Sequence, residues 1–213
     1  MPDDHRQRVE NALTAQMAAH RQQLCERDPA LVAANSGAAW DAASGTLTFD
    51  CLSQPLIVAT VDYGITAQGD RPLPVIIQAL ATTYLLTADG TPRAGQWIAF
   101  RDLPDGTFYH QAFTGYTGQR LVRMLGDAVD RFRHGAEAAG GASLSGLGDA
   151  AFEFRVLPRL WLAAIYWQGD AEDDFPPQAR VLFDGAASRY MILDGLAILG
   201  SMLTGRILKF CRD

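Results

Sequence analysis

The residues best suited to chemistry in this chain lie in one irregular segment that runs from Gly95 to His110. The segment reads GQWIAFRDLPDGTFYH and combines large aromatic side chains, an adjacent Arg–Asp pair and turn-forming residues. Such a mixture is typical either of a binding site or of a tightly built turn. It contains neither a metal-ligand spacing nor a nucleophile beside a base, so it does not define a reaction.

Two residues of this segment are candidates for acid–base catalysis. His110 is the stronger candidate, because an imidazole exchanges protons near neutral pH more readily than other side chains. Its alternative role is a packed side chain on a strand, since the sequence shows no partner carboxylate for it. Asp102 is the second candidate. Adjacent residues on a strand point to opposite faces, so we do not expect Asp102 to contact Arg101 directly.

Seven residues are candidates for binding a ligand, because aromatic rings with a few polar groups are the usual lining of small-molecule pockets. They are Trp97, Arg101, Tyr109, Trp167, Asp170, Asp184 and Tyr190. For Arg101 the alternative is a structural tie that fixes the following turn. The candidates fall in the segments 97–113 and 166–190, each of which carries charged residues that it could not bury alone. We therefore expect the two segments to form one cleft.

Metal and cofactor sites are not indicated. The stretch from Asp170 to Asp174 carries four carboxylates in five positions, but it lacks the loop pattern of a calcium site, and a solvated turn is favoured. Cys25, Cys51 and Cys211 are odd in number and widely spread, so the sequence predicts neither a disulfide framework nor a zinc or iron–sulfur site. No cofactor can be named.

Charge and composition exclude several function classes. The net charge of −6 and the pI of about 5.1 provide no basic surface for nucleic acid or for an anionic membrane. The N-terminus reads as a polar helix without the apolar core of a signal peptide, so we expect a cytoplasmic protein. With 48% hydrophobic and 20% charged residues, the chain is expected to form a single globular domain over residues 1–213.

The coarse pattern alternates helices and hairpins. Helices are predicted over 3–26, 75–86, 117–134 and 192–210, with Arg123 on the solvated face of the third. Two hairpins, 46–63 and 151–167, each carry a proline at the turn and match each other without a gap. A glycine-rich, flexible connection over 135–148 joins two halves, about 37–134 and 149–213. The fold class predicted is α+β, with one antiparallel sheet built from the two Pro-linked hairpins and buried helices packed against it.

An ordered set of motifs resembles an uncharacterised family, domain of unknown function 3786. The motifs are YLL at 84–86, ADGTP at 88–92, GQWIAFRDLP at 95–104, YWQGD at 166–170, FP at 175–176 and VLFD at 181–184. The resemblance covers roughly residues 73–199 and implies no established activity. The family occurs mainly in anaerobic bacteria and archaea, and some relatives are joined to iron–sulfur cluster domains. This implies accessory or redox-linked work with a redox-protein partner, although this chain has no such cysteine module.

Three hypotheses about function follow. The leading one is a cytoplasmic accessory or small-ligand-binding protein without catalysis of its own. The first alternative is an enzyme that uses His110 or a nearby carboxylate for general acid–base chemistry. The second alternative is a structural subunit of a homo-oligomer. Convergence of Arg101, His110 and a carboxylate on one cleft would favour the enzyme, and a pocket without that convergence would favour binding.

Overall fold

The computed structural model describes residues 2–69, 72–170 and 174–211. The chain has an α+β fold with two antiparallel sheets, one of four strands and one of five. It divides into two compact units. Of the described residues, the first unit comprises 2–69, 72–92, 157–159 and 189–192, and the second comprises 93–156, 160–170, 174–188 and 193–211. The prediction that residues 1–213 form a single domain stays a prediction.

The first unit combines helices with the four-stranded sheet. Its elements are α1 (Pro2–Cys25), α2 (Pro29–Ser36), β1 (Ala39–Asp41), β2 (Thr46–Cys51), β3 (Gln54–Ala59), β4 (Gly64–Ala67) and α3 (Val75–Thr87). The strands lie in the order β1-β2-β3-β4 and every neighbouring pair is antiparallel. The helix α2 begins where the side chain of Asp28 accepts a hydrogen bond from the Ala30 N–H at 2.9 Å, which satisfies one of the free donors of its first turn.

The helix predicted over residues 75–86 is confirmed as α3. Its side chains are buried on most sides, including those of Leu80, Tyr84 and Leu85. The buried hydroxyl of Tyr84 donates to the Ser36 carbonyl and accepts the Arg159 N–H at 2.9 Å. A polar group can be buried in this way because both of its hydrogen-bonding functions are satisfied.

The second unit contains the five-stranded sheet and the remaining helices. Its elements are β5 (Trp97–Ala99), α4 (Gly106–Tyr116), α5 (Gly118–Leu125), α6 (Val129–Ala138), β6 (Ala142–Ser143), β7 (Ala150–Leu157), β8 (Leu160–Trp167), β9 (Gln178–Asp184) and α7 (Leu193–Phe210). A short 3-10 turn, Phe100–Asp102, follows β5. The strand order is β5-β9-β8-β7-β6. The prediction of a buried last helix is confirmed, since Leu196, Leu199 and Leu203 of α7 are all buried.

The two hairpins do not form one sheet, and their proline positions are not equivalent. Pro55 lies inside β3, opposite Asp50, and the turn before it is Leu52–Ser53. Pro158 instead lies in the turn between β7 and β8. The ungapped match would place that turn at residues 155–156, which belong to β7. The matched residues therefore reflect the common preference of strands for apolar residues.

The predicted helix over 117–134 is interrupted. It forms two helices, α5 and α6, which are separated at Gly126. The Tyr166 hydroxyl donates to the Gly126 carbonyl at 2.6 Å, so a tertiary contact satisfies a group that the helix leaves free. Burial raises the pKa of Tyr166 to about 12, which keeps this phenol protonated as a donor.

The glycine-rich segment 135–148 differs from the predicted flexible connection. Its first residues complete α6, and Ala142–Ser143 form the edge strand β6, which pairs with β7. Backbone hydrogen bonds hold it, from Gly141 N–H to the Ala136 carbonyl at 2.9 Å and from Leu144 N–H to the Ala151 carbonyl at 2.8 Å. The whole segment belongs to the second unit, and composition alone did not reveal these pairings.

The approach of α5 to β9 depends on the missing side chain at Gly118. A Cβ atom at this position would lie 2.1 Å from the carbonyl oxygen of Ala179, so an alanine there must push helix and strand apart. Gly115 of α4 offers a matched control, since a Cβ there would meet its nearest neighbour, the Gln119 Oε1 atom, at an ordinary 3.8 Å.

We expect Gly118→Ala to lower the free energy of unfolding by about 1–3 kcal/mol through steric strain. Gly115→Ala should raise it by about 0.5–1 kcal/mol, because alanine loses less backbone entropy in a helix. Urea denaturation of both variants measures the two effects. Equal stability of the two variants would show that α5 can move away from β9 without cost.

Candidate functional site

A pocket of about 520 Å³ lies in the second unit, and its walls come from the 3-10 turn, α4, α5 and β9. The residues that line it are Ala99, Phe100, Arg101, His110, Phe113, Thr114, Thr117, Gly118, Gln119, Val122, Arg123, Pro177, Gln178, Ala179, Arg180, Val181 and Leu182. Its volume falls within the range of about 300–1,000 Å³ that is usual for small-molecule sites.

The floor of the pocket is aromatic and rigid. The rings of Phe100 and Phe113 stack at a centroid distance of 4.2 Å with an interplanar angle of 11°. Phe183 packs against both, at 6.0 Å and 5.6 Å. Phe183 does not belong to the lining, so the floor consists of Phe100 and Phe113 with Phe183 packed behind them. All three side chains are buried, and close packing holds the floor in place.

The chain reaches this geometry through a close contact between α4 and the turn before it. A Cβ atom at Gly106 would lie 1.9 Å from the carbonyl oxygen of Phe100. The first turn of α4 can therefore rest directly on the 3-10 turn, and the Phe100 and Phe113 rings meet. The sequence did not predict α4, and the strand that it considered for His110 is a helix instead.

Three arginines stand around the pocket, and their side chains come from three different elements. Arg123 of α5 donates to the Gly115 carbonyl at 2.9 Å. The guanidinium of Arg180 on β9 lies 5.4 Å from the centroid of the Trp167 ring. Arg101 lies 3.7 Å from Asp102, measured from Nε to Oδ1. The expectation that Arg101 and Asp102 do not contact each other is wrong, because a 3-10 turn replaces the extended strand that it assumed.

His110 reaches the same pocket from α4. Its Nδ1 atom is buried and has no hydrogen-bond partner among the residues that the structure describes. Buried polar atoms without a partner are uncommon in folded proteins and call for an explanation in each case. Of the two catalytic candidates, the pocket therefore includes His110, whereas Asp102 does not belong to its lining.

The two segments that the sequence expects to form one cleft do lie side by side. Five residues of 99–113, namely Ala99, Phe100, Arg101, His110 and Phe113, line the pocket together with residues 177–182, and β5 pairs with β9. The side chains that meet there differ from those expected. Of the seven ligand-binding candidates, Arg101 lines the pocket, and the other six do not belong to the lining described.

Trp97 and Asp184 instead contact an arginine of the chain itself, Arg93. The Arg93 guanidinium lies 4.3 Å from the centroid of the Trp161 ring and 5.2 Å from that of Trp97. It also pairs with Glu153 at 2.5 Å and with Asp184 at 3.5 Å. The hydrogen bond to Glu153 raises the pKa of Arg93 above its ordinary value, which reflects how well the charged guanidinium is paired here.

Asp184 has a structural task as well. Its carboxylate accepts the N–H groups of Ala94 at 2.9 Å, Gly95 at 2.8 Å and Ala186 at 3.0 Å. These bonds join the chain before β5 to the end of β9, the strand that pairs with β5. The side chain is 4% exposed, and each of its oxygens has partners inside the protein. Asp184 thus positions the backbone of its own unit.

The remaining candidates lie apart from the lining. Tyr109 is exposed on α4. Trp167 contacts Arg180 as described above, and so stands behind one wall of the pocket. Asp170 forms an isolated bridge with Phe175, in which each N–H bonds to the other carbonyl. Tyr190 belongs to the first unit, where its hydroxyl donates to the Thr91 carbonyl.

Only part of the acidic stretch from Asp170 to Asp174 lies among the described residues, and metal-ligand groups can be identified only among those residues. Glu172 and Asp173, which supply two of its four carboxylates, lie outside the described residues. Within residues 2–69, 72–170 and 174–211, no group of three or more His, Cys, Asp or Glu side chains is placed to hold a metal ion. None of the helices in this described part is long and apolar enough to span a membrane.

Sequence reasoning missed Arg123 and Arg180 as site residues. It assigned Arg123 to a solvated helix face, and it did not single out Arg180, which lies in β9. Both are exposed, as the pattern indicates. Neither carries a local signal, because their convergence depends on the packing of α5 against β9, and only their basic charge could have marked them.

We expect Asp184→Ala to lower the free energy of unfolding by about 2–4 kcal/mol, because it removes a buried carboxylate that accepts three N–H groups, of which that of Ala186 is buried. Asp102→Ala is the control: its carboxylate is 53% exposed and accepts one backbone N–H, that of Ala99 at 3.1 Å, so the loss should stay at about 0.5–1.5 kcal/mol. Chemical denaturation compares them. Similar losses would contradict the structural role of Asp184.

Comparison with known proteins supports the resemblance noted in the sequence. No curated protein and no solved structure shows significant similarity to the chain. The model of one protein family matches residues 28–206, which is most of the chain and includes all the residues of the pocket. The chain therefore belongs to the family described as domain of unknown function (DUF3786).

Proposed function

We propose that the protein is a cytoplasmic accessory protein that binds a small molecule in the pocket between α4, α5 and β9, without catalysis of its own. The observation that carries this proposal is the combination of an aromatic, buried floor with polar side chains at the rim of the pocket, which are those of Arg101, Arg123 and Arg180. Sites for small ligands have this composition, since apolar walls provide affinity and a few polar groups provide orientation.

The chemistry of the lining favours binding over catalysis. Arg101 and His110 both reach the pocket, whereas none of its described lining residues is Asp or Glu. A histidine that acts as a general base usually needs a group that orients it and holds its charge. The rigid floor is better suited to holding a ligand in one position, because little side-chain entropy remains to be lost on binding.

A pocket-filling substitution tests the proposal. We expect Val122→Trp to abolish binding, because Val122 lines the pocket and an indole would occupy its space. Met124→Trp on the same helix is the matched control, since Met124 is 49% exposed and does not belong to the lining. Ligand-detected NMR with a mixed panel of neutral, anionic and cationic aromatic fragments measures binding to the wild type and to both variants.

Fragments that bind the wild type and Met124→Trp but not Val122→Trp would support the proposed site. Thermal melts of both variants establish that each remains folded. If the same fragments bind folded Val122→Trp equally well, this pocket is not the binding site and the proposal is wrong.

The unpartnered His110 favours a second candidate, an enzyme in which this imidazole transfers a proton. In that case wild-type protein should convert a fragment that it binds in the pocket, and the NMR spectrum of the fragment should change with time. His110→Gln should stop the conversion while binding persists. Bound fragments that remain unchanged over long incubation would leave the binding protein as the function.

A further inference from the structure

We infer that the ligand of this pocket is a small amphipathic organic anion, with a carboxylate or phosphate head at the arginine rim and an apolar body on the aromatic floor. The inference rests on the proposed function and names the class of molecule that the same site would select. It follows from the sign of the charges at the rim, from the donors that they offer and from the apolar lining beneath them.

The charge at the pocket is opposite to that of the chain as a whole. The protein carries a net charge of −6, yet Arg101, Arg123 and Arg180 all line this one pocket. Of the described lining residues, none is acidic. Positive charges gathered around a concavity with low-dielectric walls attract anions and repel cations over several ångströms.

The guanidinium groups are held in place but keep donors to offer. Each guanidinium has five N–H donors. Arg123 gives one to the Gly115 carbonyl at 2.9 Å, and Arg180 lies over the face of Trp167, a contact that leaves its edge N–H groups available. Arginines restrained in this way lose little freedom when they bind, and their planar forks match the oxygens of carboxylate and phosphate.

An inorganic ion alone would not use the whole pocket. Part of the lining is apolar: the side chains of Phe113 and Val181 are buried, and those of Val122 and Leu182 are half-buried. These side chains cannot replace the hydration shell of a charged group. They can cover an aromatic or aliphatic body, and the volume of about 520 Å³ leaves room for one beyond the charged head.

A cationic ligand has less support. Aromatic rings beside carboxylates would suit an organic cation, and the second unit does contain such a site, formed by Trp97, Trp161, Glu153 and Asp184. That site already holds the guanidinium of Arg93. Trp97 and Asp184, two of the residues that the sequence suggests for ligand binding, thus contact an arginine of the chain itself, and the pocket in the same unit has the opposite preference.

Isothermal titration with probes that share one body and differ in charge tests the inference. The probes are naphthyl phosphate, naphthoate, the neutral naphthamide and the cationic naphthylmethylamine, with inorganic phosphate as a head group without a body. We expect both organic anions to bind at least about tenfold more tightly than the amide, and the amine and inorganic phosphate to bind more weakly than either anion. The tighter of the two anions identifies the head group.

Charge variants at the rim locate the binding. Arg123→Gln and Arg180→Gln should each weaken the binding of the organic anions by about three- to tenfold, and the double variant by more. Arg120→Gln is the matched control, because Arg120 lies on the same helix but does not line the pocket, and its effect should stay below about twofold. The affinity for the naphthamide should be unchanged by each of these three substitutions.

The outcomes separate this inference from the proposed function. If the amide or the amine binds as tightly as the anions, and Val122→Trp abolishes that binding, the pocket is a ligand site but the anion inference is wrong. The inference is also wrong if Arg120→Gln weakens the binding of the anions as much as Arg123→Gln does. If the anions bind and Val122→Trp leaves their affinity unchanged, both the inference and the proposed site are overturned.

Discussion

The second unit depends on how closely helices can approach the backbone that they pack against. At Gly106 and Gly118 the neighbouring carbonyl oxygens come to 1.9 Å and 2.1 Å of where a Cβ atom would stand. These two contacts seat α4 on the turn after β5 and α5 on β9. The first contact also brings α4 against the turn that carries Phe100, and Phe100 stacks there on Phe113 of α4 at 4.2 Å between ring centroids. The positions of α4 and α5, two elements of the pocket wall, therefore depend on glycine at residues 106 and 118.

Arginine serves two opposite purposes in this unit, and its surroundings decide which. Arg93 lies against the rings of Trp97 and Trp161 and pairs with Glu153 and Asp184, so its charge is already balanced by partners within the protein. The guanidinium groups around the pocket have fewer internal partners and face an opening. A cation that is paired on every side stabilises structure, whereas one with donors remaining at a concave surface is available to a ligand. This difference is the physical basis for proposing an anion site.

Membership of a family of unknown function makes the site the main guide to activity. The family match covers residues 28–206 and extends over both compact units, so it does not by itself point to one region. The pocket does point to one region, because its apolar lining and restrained arginines suit the binding of a ligand and are not needed for packing. His110 adds a proton-carrying group at the same place, which keeps the enzyme as the second candidate.

The sequence by itself determined the α+β class, the family, the buried helices α3 and α7 and the two segments that meet at the pocket. Apolar periodicity and specific motifs are local properties, and Leu196, Leu199 and Leu203 display theirs without reference to the rest of the chain. Tertiary structure alone decided that the strands form two sheets, that Pro55 lies in a strand and Pro158 in a turn, and that Trp97 and Asp184 serve Arg93. It also brought Arg123 and Arg180 to one rim. These outcomes depend on contacts between residues distant in sequence, and the same side chain can pair internally or face a pocket according to which neighbours the packing supplies.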